Sequence, residues 1–413
     1  MAASSSTALD WHTARAVAAT SCAPLAPIDA RLSETNGCVL VTPLVALADV
    51  PAFAAAAMDG YAVNGPGPWL IGEEVNLAGG TNPDELGPGQ ASAIATGALI
   101  PPGATAVMRD EDAVIEGALH GMRLFTRDAL TGLADESSPA LPPGTNIRPH
   151  GEECRIGDVL IEPGLVVTPA MLGLAAATGY DTLAVIPPPS VAVLVMGDEL
   201  LDRGLPRPGR PRDALGPLLP GWLAALGARA HPPIRVPDSI DGLLAEIADA
   251  NVDVIVTTGS TARGPVDHLH AALDRMGARW IVDGVSVRPG HPMLLAQLPD
   301  GRPLVGLPGN PLAAASGVVT LVAPLIAAMR GLSSPPLGGI ALLAEDITAH
   351  PHDVRLVPVR IEIGEIATMA RPLTQTSPAM LRGLALSDGF AVIEPGGGQR
   401  GSSVEVLANP TYV

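Results

Sequence analysis

Between residues 186 and 332, short β-branched apolar runs alternate with stretches whose apolar positions recur at helical spacing. Residues 191–195, 229–236 and 253–256 read as strands, and 213–226, 239–249 and 269–276 as helices. A βαβα order predicts a mainly parallel sheet with helices on both faces. Residues 10–50 mix helical and extended patterns. From 51 to 144 short extended pieces such as 91–96 and 105–108 are separated by Gly, Pro and Asn turns, the pattern of a small antiparallel β domain. An αβ pattern returns at 145, and "TPAMLGLAAATGY" (168–180) reads as a helix stopped by Gly179.

"IPPPS" (186–190) reads as a stiff linker and "SSPP" (333–336) as a boundary, after which period-two alternation returns. The expected architecture is multidomain, α/β plus β. It comprises a bipartite N-terminal domain (10–50 and 145–185), an inserted β-rich domain (51–144), a central parallel-sheet α/β domain (186–332) and a small C-terminal β domain (337–413).

Composition narrows the chemistry. A net charge of −18 and 2% aromatic residues argue against a nucleic-acid partner, which would need clustered positive charge and stacking rings. All 24 basic residues are Arg, so P-loop and Schiff-base lysine chemistry are excluded, and any phosphate must be held by Arg, His or backbone. The N-terminal stretch lacks a basic region followed by an apolar core, and the longest apolar run, 317–329, is short for a span and contains Pro324. Cys22, Cys38 and Cys154 form no CxxC pair. Together these predict a cytoplasmic protein with no membrane partner and no structural zinc.

Three stretches place unusual residues directly after strands: "LVMGDEL" (194–200), "TTGSTARGPVDH" (257–268) and "LVGLPGNP" (304–311). In an open parallel sheet, ligands bind beyond the carboxyl ends of the strands, where such turns converge. Each turn taken alone has a structural explanation: Asp198 and Glu199 could cap a helix, and Pro308–Pro311 could be a plain turn with Pro311 in the first helical position. Three on one edge point to a ligand site.

Together with "AMDGYAV" (57–63) and "RPGHP" (288–292), these stretches resemble the ordered motifs of the MoeA and gephyrin E-domain family, the molybdopterin molybdenumtransferases, from about residue 10 to the C-terminus. The resemblance implies a role in molybdenum cofactor biosynthesis: Mg²⁺-dependent insertion of molybdenum from molybdate into adenylylated molybdopterin, with release of AMP. It also implies a homodimer in which one subunit's α/β domain shares its site with the other's first and second domains. On that basis Asp59, Glu199, Asp213 and Asp267 are the expected catalytic residues, with Asp213 and Asp267 holding the metal and Glu199 and Asp59 orienting molybdate and water. The expected contacts to the pterin nucleotide are Thr96, Gly197, Asp198, Gly259, Ser260, Arg263, Gly264, Arg288, His291, Pro308, Gly309 and Asn310.

Several positions depart from the family pattern. The Gly-Gly-Val-Ser-Val-Gly turn reads Gly259 to Gly264 as GSTARG, Asp-Ser-Asn reads Asp213-Ala214-Leu215, the Asp of Gly-Glu-Asp is Glu153, and the Thr before Gly-Asp-Glu-Leu is Met196. Leu312-Ala313 replaces the polar residue after Gly-Asn-Pro, and the Lys of Pro-Gly-Lys-Pro is His291. His291, following an expected strand over 280–287, should face the bound anion, and Arg263 could restore positive charge at the phosphate turn. His268 and His270, two apart on a helix, point in different directions and make a poor chelate. A second reading is a non-catalytic paralogue that binds or stores molybdopterin or supports cofactor assembly.

Overall fold

The computed structural model describes residues 8–118, 121–262, 268–333, 338–348, 350–365, 367–374 and 377–410. At its centre are three adjacent parallel strands, Ser190–Met196, Val254–Thr258 and Pro303–Leu307, each buried along its whole length. Strands covered on both faces lose the in–out alternation and become continuous apolar runs, as these are. Two antiparallel strands, Leu294–Gln297 and Arg279–Asp283, extend the sheet beyond Pro303–Leu307.

Two expected strands are each split. The 229–236 run becomes Arg229–Ala230 and Ile234–Val236, both parallel to Ser190–Met196, because Pro232 and Pro233 between them have no N–H to sustain a ladder. The 280–287 run breaks at Gly284, whose φ of +90° suits glycine. Its second half, Val285–Arg288, leaves the α/β sheet and pairs instead with Leu9–Asp10 and with Val354–Ile363 of the C-terminal sheet.

The helix Trp11–Thr20 starts on an Asp10 cap and buries Trp11, Ala14 and Ala18 against the α/β core. It does not pack with the strands that follow it in sequence, because its apolar stripe matches the helical run Pro311–Met329, where Trp11 Nε1 donates to Thr320 Oγ1 at 3.0 Å. Truncating Trp11 would cost about 3–5 kcal/mol. That partner run is longer than the 317–329 segment read from sequence: its 19 residues are long and apolar enough to cross a membrane, yet 94% of the apolar window is buried inside the protein, so it is a core helix.

Strands Ile28–Arg31 and Val39–Leu40 pair with Thr182–Ile186, and Leu44–Val45 pairs with Val159–Ile161, so the chain leaves this unit and returns to it. The excursion between them carries a sheet that includes Trp69–Asn76, Gln90–Ile94 and Gly60–Val63, packed on buried Trp69, Met108 and Leu124. The chain ends in a mostly antiparallel sheet running from Gly339–Leu343 to Ser403–Ala408.

Candidate active site

The three central strands end side by side, and the loops that leave them enclose a cleft of about 670 Å³. Gly197, Glu199 and Leu200 come from the first loop, Gly259 to Ala262 from the second, and Pro308 to Pro311 from the third. Parallel order makes this convergence unavoidable, since all three carboxyl ends point the same way.

The first loop is held from below by a residue that sequence reading missed. Arg235, on Ile234–Val236, donates from Nη2 to the Gly197 carbonyl at 2.6 Å, while its Nη1 is buried without a partner. Gly197 has φ +124°, and a Cβ there would lie 3.0 Å from a Glu199 carboxylate oxygen, so glycine lets that carboxylate fold back across the loop. Asp198 does not line the cleft. Its N–H donates to Asp238 Oδ2 at 3.0 Å, and the Asp238 N–H returns a bond to Asp198 Oδ1 at 3.3 Å.

In the second loop, two successive residues take left-handed backbone, Gly259 at φ +86° and Ser260 at φ +52°. Serine there carries strain that a second glycine would not. The Gly259 N–H donates to the Leu307 carbonyl at 2.9 Å, so that donor is committed to the scaffold. Arg263, Gly264 and Asp267 lie outside the described residues. His270 donates from Nε2 to Asp283 Oδ1 at 2.9 Å, and its ring stacks on Trp280.

The third loop opens the Pro311–Met329 helical run. Asn310 precedes it without a side-chain cap bond and faces the cleft. The Leu312 N–H donates to the carbonyl of Pro378, a C-terminal-domain residue, at 2.9 Å. Ala379 and Leu381 of the same segment complete the cleft wall.

Asp213 faces the cleft and also starts a helix: its Oδ1 accepts from the N–H groups of Leu215 at 3.0 Å and Gly216 at 2.9 Å. The helix is therefore Leu215–Ala225, and the expected start at 213 is its capping turn. With Glu199 and Asp238, Asp213 makes three carboxylates on the described lining, against one cation, Arg212. No cluster of three or more metal-ligating side chains occurs among the described residues.

Besides Asp198, four expected site residues lie elsewhere. Arg288 does not line the cleft; its Nε donates to buried Asp353 at 2.7 Å, tying the α/β domain to the C-terminal sheet, because its strand has left the central one. His291 is not on the lining either. Its neighbour Pro292 is, and the His291 Nδ1 is buried without a partner. Asp59 and Thr96 sit together on the β-rich unit, apart from the cleft lining, with the Asp59 Oδ1 accepting from the Thr96 N–H at 2.7 Å and from its hydroxyl at 3.0 Å. These two bonds hold the Asp59 carboxyl below the usual carboxylate range.

Arg212, Asp238, Pro292, Ala379 and Leu381 were missed. Asp238 follows a strand end and obeys the same rule as the three loops. Ala379 and Leu381 carried no local signal, since only domain packing brings them to the cleft.

Fold and cleft define a multidomain α/β plus β protein whose α/β domain carries a cleft at the carboxyl edge of its sheet. The chain belongs to the MoeA family: residues 9–179 match the MoeA N-terminal region (domain I and II), 192–328 a probable molybdopterin binding domain, and 341–408 the MoeA C-terminal region (domain IV). It is 30% identical over 378 residues to the molybdopterin molybdenumtransferase of Bacillus subtilis, covering 87% of this chain and 84% of that one. With that of Synechococcus elongatus it shares 31% over 336 residues, 76% of this chain and 78% of the other. In fold it is similar to a molybdopterin biosynthesis MoeA protein from Pyrococcus horikoshii, with a TM-score of 0.74 at 24% identity over 98% of this chain and 100% of that one.

Proposed function

We propose that this chain acts in molybdenum cofactor biosynthesis as a molybdopterin molybdenumtransferase, inserting molybdenum from molybdate into adenylylated molybdopterin and releasing AMP in a Mg²⁺-dependent reaction. The observation that carries this reading is the cleft itself: three strand-end loops, each bearing a motif of the MoeA family, meet around a space large enough for a pterin nucleotide.

The donor set suits magnesium. Glu199, Asp213 and Asp238 offer only oxygen, and Mg²⁺ is ordinarily held by one or two carboxylates with the remaining positions left to water and substrate phosphate. Asp213, through the oxygen not used in capping, and Asp267 are the proposed ligands. Bound there, the ion would neutralise charge on the phosphoanhydride. Glu199 orients molybdate and the attacking water, and Asn310 and Ser260 bind polar groups of the ligand. Asp59, held ionised by Thr96, acts from the other subunit of a homodimer. The four-domain division set out from the sequence is part of the same proposal.

A binding role without chemistry is the second reading. It is favoured by the Pro378 carbonyl, which takes up the Leu312 N–H that a phosphate would otherwise find at that helix start. The test is direct: incubate the purified protein with molybdate, Mg²⁺ and adenylylated molybdopterin and quantify AMP. Stoichiometric or catalytic release supports the transferase; tight binding with no AMP supports the second reading.

A further inference from the structure

Residues 203–212 contain four arginines, Arg203, Arg207, Arg210 and Arg212, whereas no ten-residue window outside this stretch holds more than two. They lie on an arm that folds back on itself. The Arg207 and Arg210 backbones exchange hydrogen bonds of 3.1 and 2.8 Å around Pro208 and Gly209, and the base is closed by Leu201 N–H to the Pro211 carbonyl at 2.8 Å and Asp213 N–H to the Leu201 carbonyl at 3.1 Å. That base is the cleft rim, because Pro211, Arg212 and Asp213 all line the cavity.

All four arginines are exposed, and none makes an ion pair within the described residues. Some exposed arginines elsewhere are paired, since Arg109, Arg275 and Arg371 each reach a carboxylate within 3.2 Å, and others such as Arg31 and Arg123 make no ion pair among the described residues, so what sets the arm apart is the density of its arginines beside the cleft. The arm's own acid, Asp202, lies 3.9 Å from Arg235 at the arm's base. Arg212 is steadied by one bond, Nη1 to the Gly204 carbonyl at 2.7 Å, which leaves the rest of its guanidinium open to the cleft.

We propose that this arm binds the phosphate groups of the ligand and extends the cleft outward along them. The inference rests on the reading of the cleft as a site for a phosphorylated pterin. A chain of net charge −18 with three carboxylates on its cleft repels such an anion unless positive charge is placed locally, within a Debye length of about 8 Å. The arm supplies it in the right form. The guanidinium fork matches phosphate oxygens two at a time, and Pro206, Pro208 and Pro211 fix the backbone of the arm before the ligand arrives, lowering the ordering cost.

The full-length protein would be titrated calorimetrically with inorganic pyrophosphate and Mg²⁺ at several salt concentrations. The partners would be Arg207→Ser/Arg210→Ser and a control, Arg229→Ser/Arg400→Ser, that removes the same charge from exposed positions off the cleft lining and outside the first and second domains. The expected result is affinity about tenfold weaker in the arm variant, with a flatter salt dependence, and unchanged in the control. The KM for adenylylated molybdopterin should rise in parallel. Equal affinity and equal salt slope in all three proteins would overturn the proposal, as would an equal loss in the control, which would make the effect one of net charge. An arm variant that bound pyrophosphate normally but lost contact with an acidic protein would overturn it too. Should the wild type bind pyrophosphate through the arm yet release no AMP, the arm assignment stands and the transferase reading falls.

Discussion

Asp213 Oδ1 accepts the backbone N–H of Gly216 at 2.9 Å, so a carboxylate that faces the cleft also begins the helix behind it. A Cβ on Gly216 would come within 2.3 Å of the other carboxylate oxygen, Oδ2. The helix start and the cleft thus share one side chain.

Two substitutions at this point separate scaffold from chemistry. Asp213→Ala should destabilise the fold by about 1 kcal/mol, the usual cost of a lost cap, and also abolish Mg²⁺-dependent AMP release. Asp213→Asn keeps the capping oxygen and removes only the charge, so it should unfold at the wild-type denaturant concentration and still be inactive. An active Asp213→Asn protein would remove this carboxylate from the metal site.

Gly216→Ala carries the same logic. Alanine is favoured over glycine in a helix by up to about 1 kcal/mol, which offsets a loss of about the same size if the Asp213 cap is weakened, so stability should stay near the wild-type value. The new methyl group must push the Asp213 carboxylate aside, and the Mg²⁺ concentration for half-maximal AMP release should increase. Metal titration of the assay reads this directly.

At Ser260, the left-handed backbone predicts that glycine is the better fit. Ser260→Gly removes roughly 1–2 kcal/mol of strain, against which the greater freedom of the unfolded chain sets about 0.5–1 kcal/mol. A modest net stabilisation is expected in urea denaturation. A destabilised Ser260→Gly protein would mean that the hydroxyl has a partner worth more than the strain.

For Asp59, the two bonds from Thr96 favour the charged form and depress its pKa in the folded protein. A depressed carboxyl adds stability that is present above its unfolded value of about 3.9 and is lost as pH falls through the lower folded value. Thr96→Val removes the hydroxyl bond while leaving the backbone one, so the Asp59 titration followed by NMR should move part of the way back up. No movement would assign the whole shift to the backbone N–H.

The shared site is tested by mixing defects. Asp59→Asn and Glu199→Gln chains should each be inactive alone. When the two are co-expressed, a homodimer with sites shared across subunits contains some sites in which both residues are intact, and AMP release should return. If both residues serve the same subunit's site, every site remains defective and activity stays absent.

The sequence by itself determined the order of strands and helices in the α/β unit and the edge at which its strand-end loops converge. Runs such as 191–195 and 253–256 can be satisfied only as strands buried on both faces, and parallel strands put their carboxyl-end loops together without further instruction. Gly197, Glu199, Gly259, Ser260, Asn310 and Asp213 could therefore be placed on one cleft from local pattern and motif. Tertiary structure alone decided the rest. Arg288 was drawn away to Asp353 when its strand joined another sheet, Trp11 was claimed by Thr320 more than 300 residues along the chain, and Ala379 and Leu381 reached the cleft through domain packing. The physical reason is that periodicity records which face of an element is apolar, whereas the partner of that face is chosen by surfaces far away in sequence, whose fit leaves no mark on either segment alone.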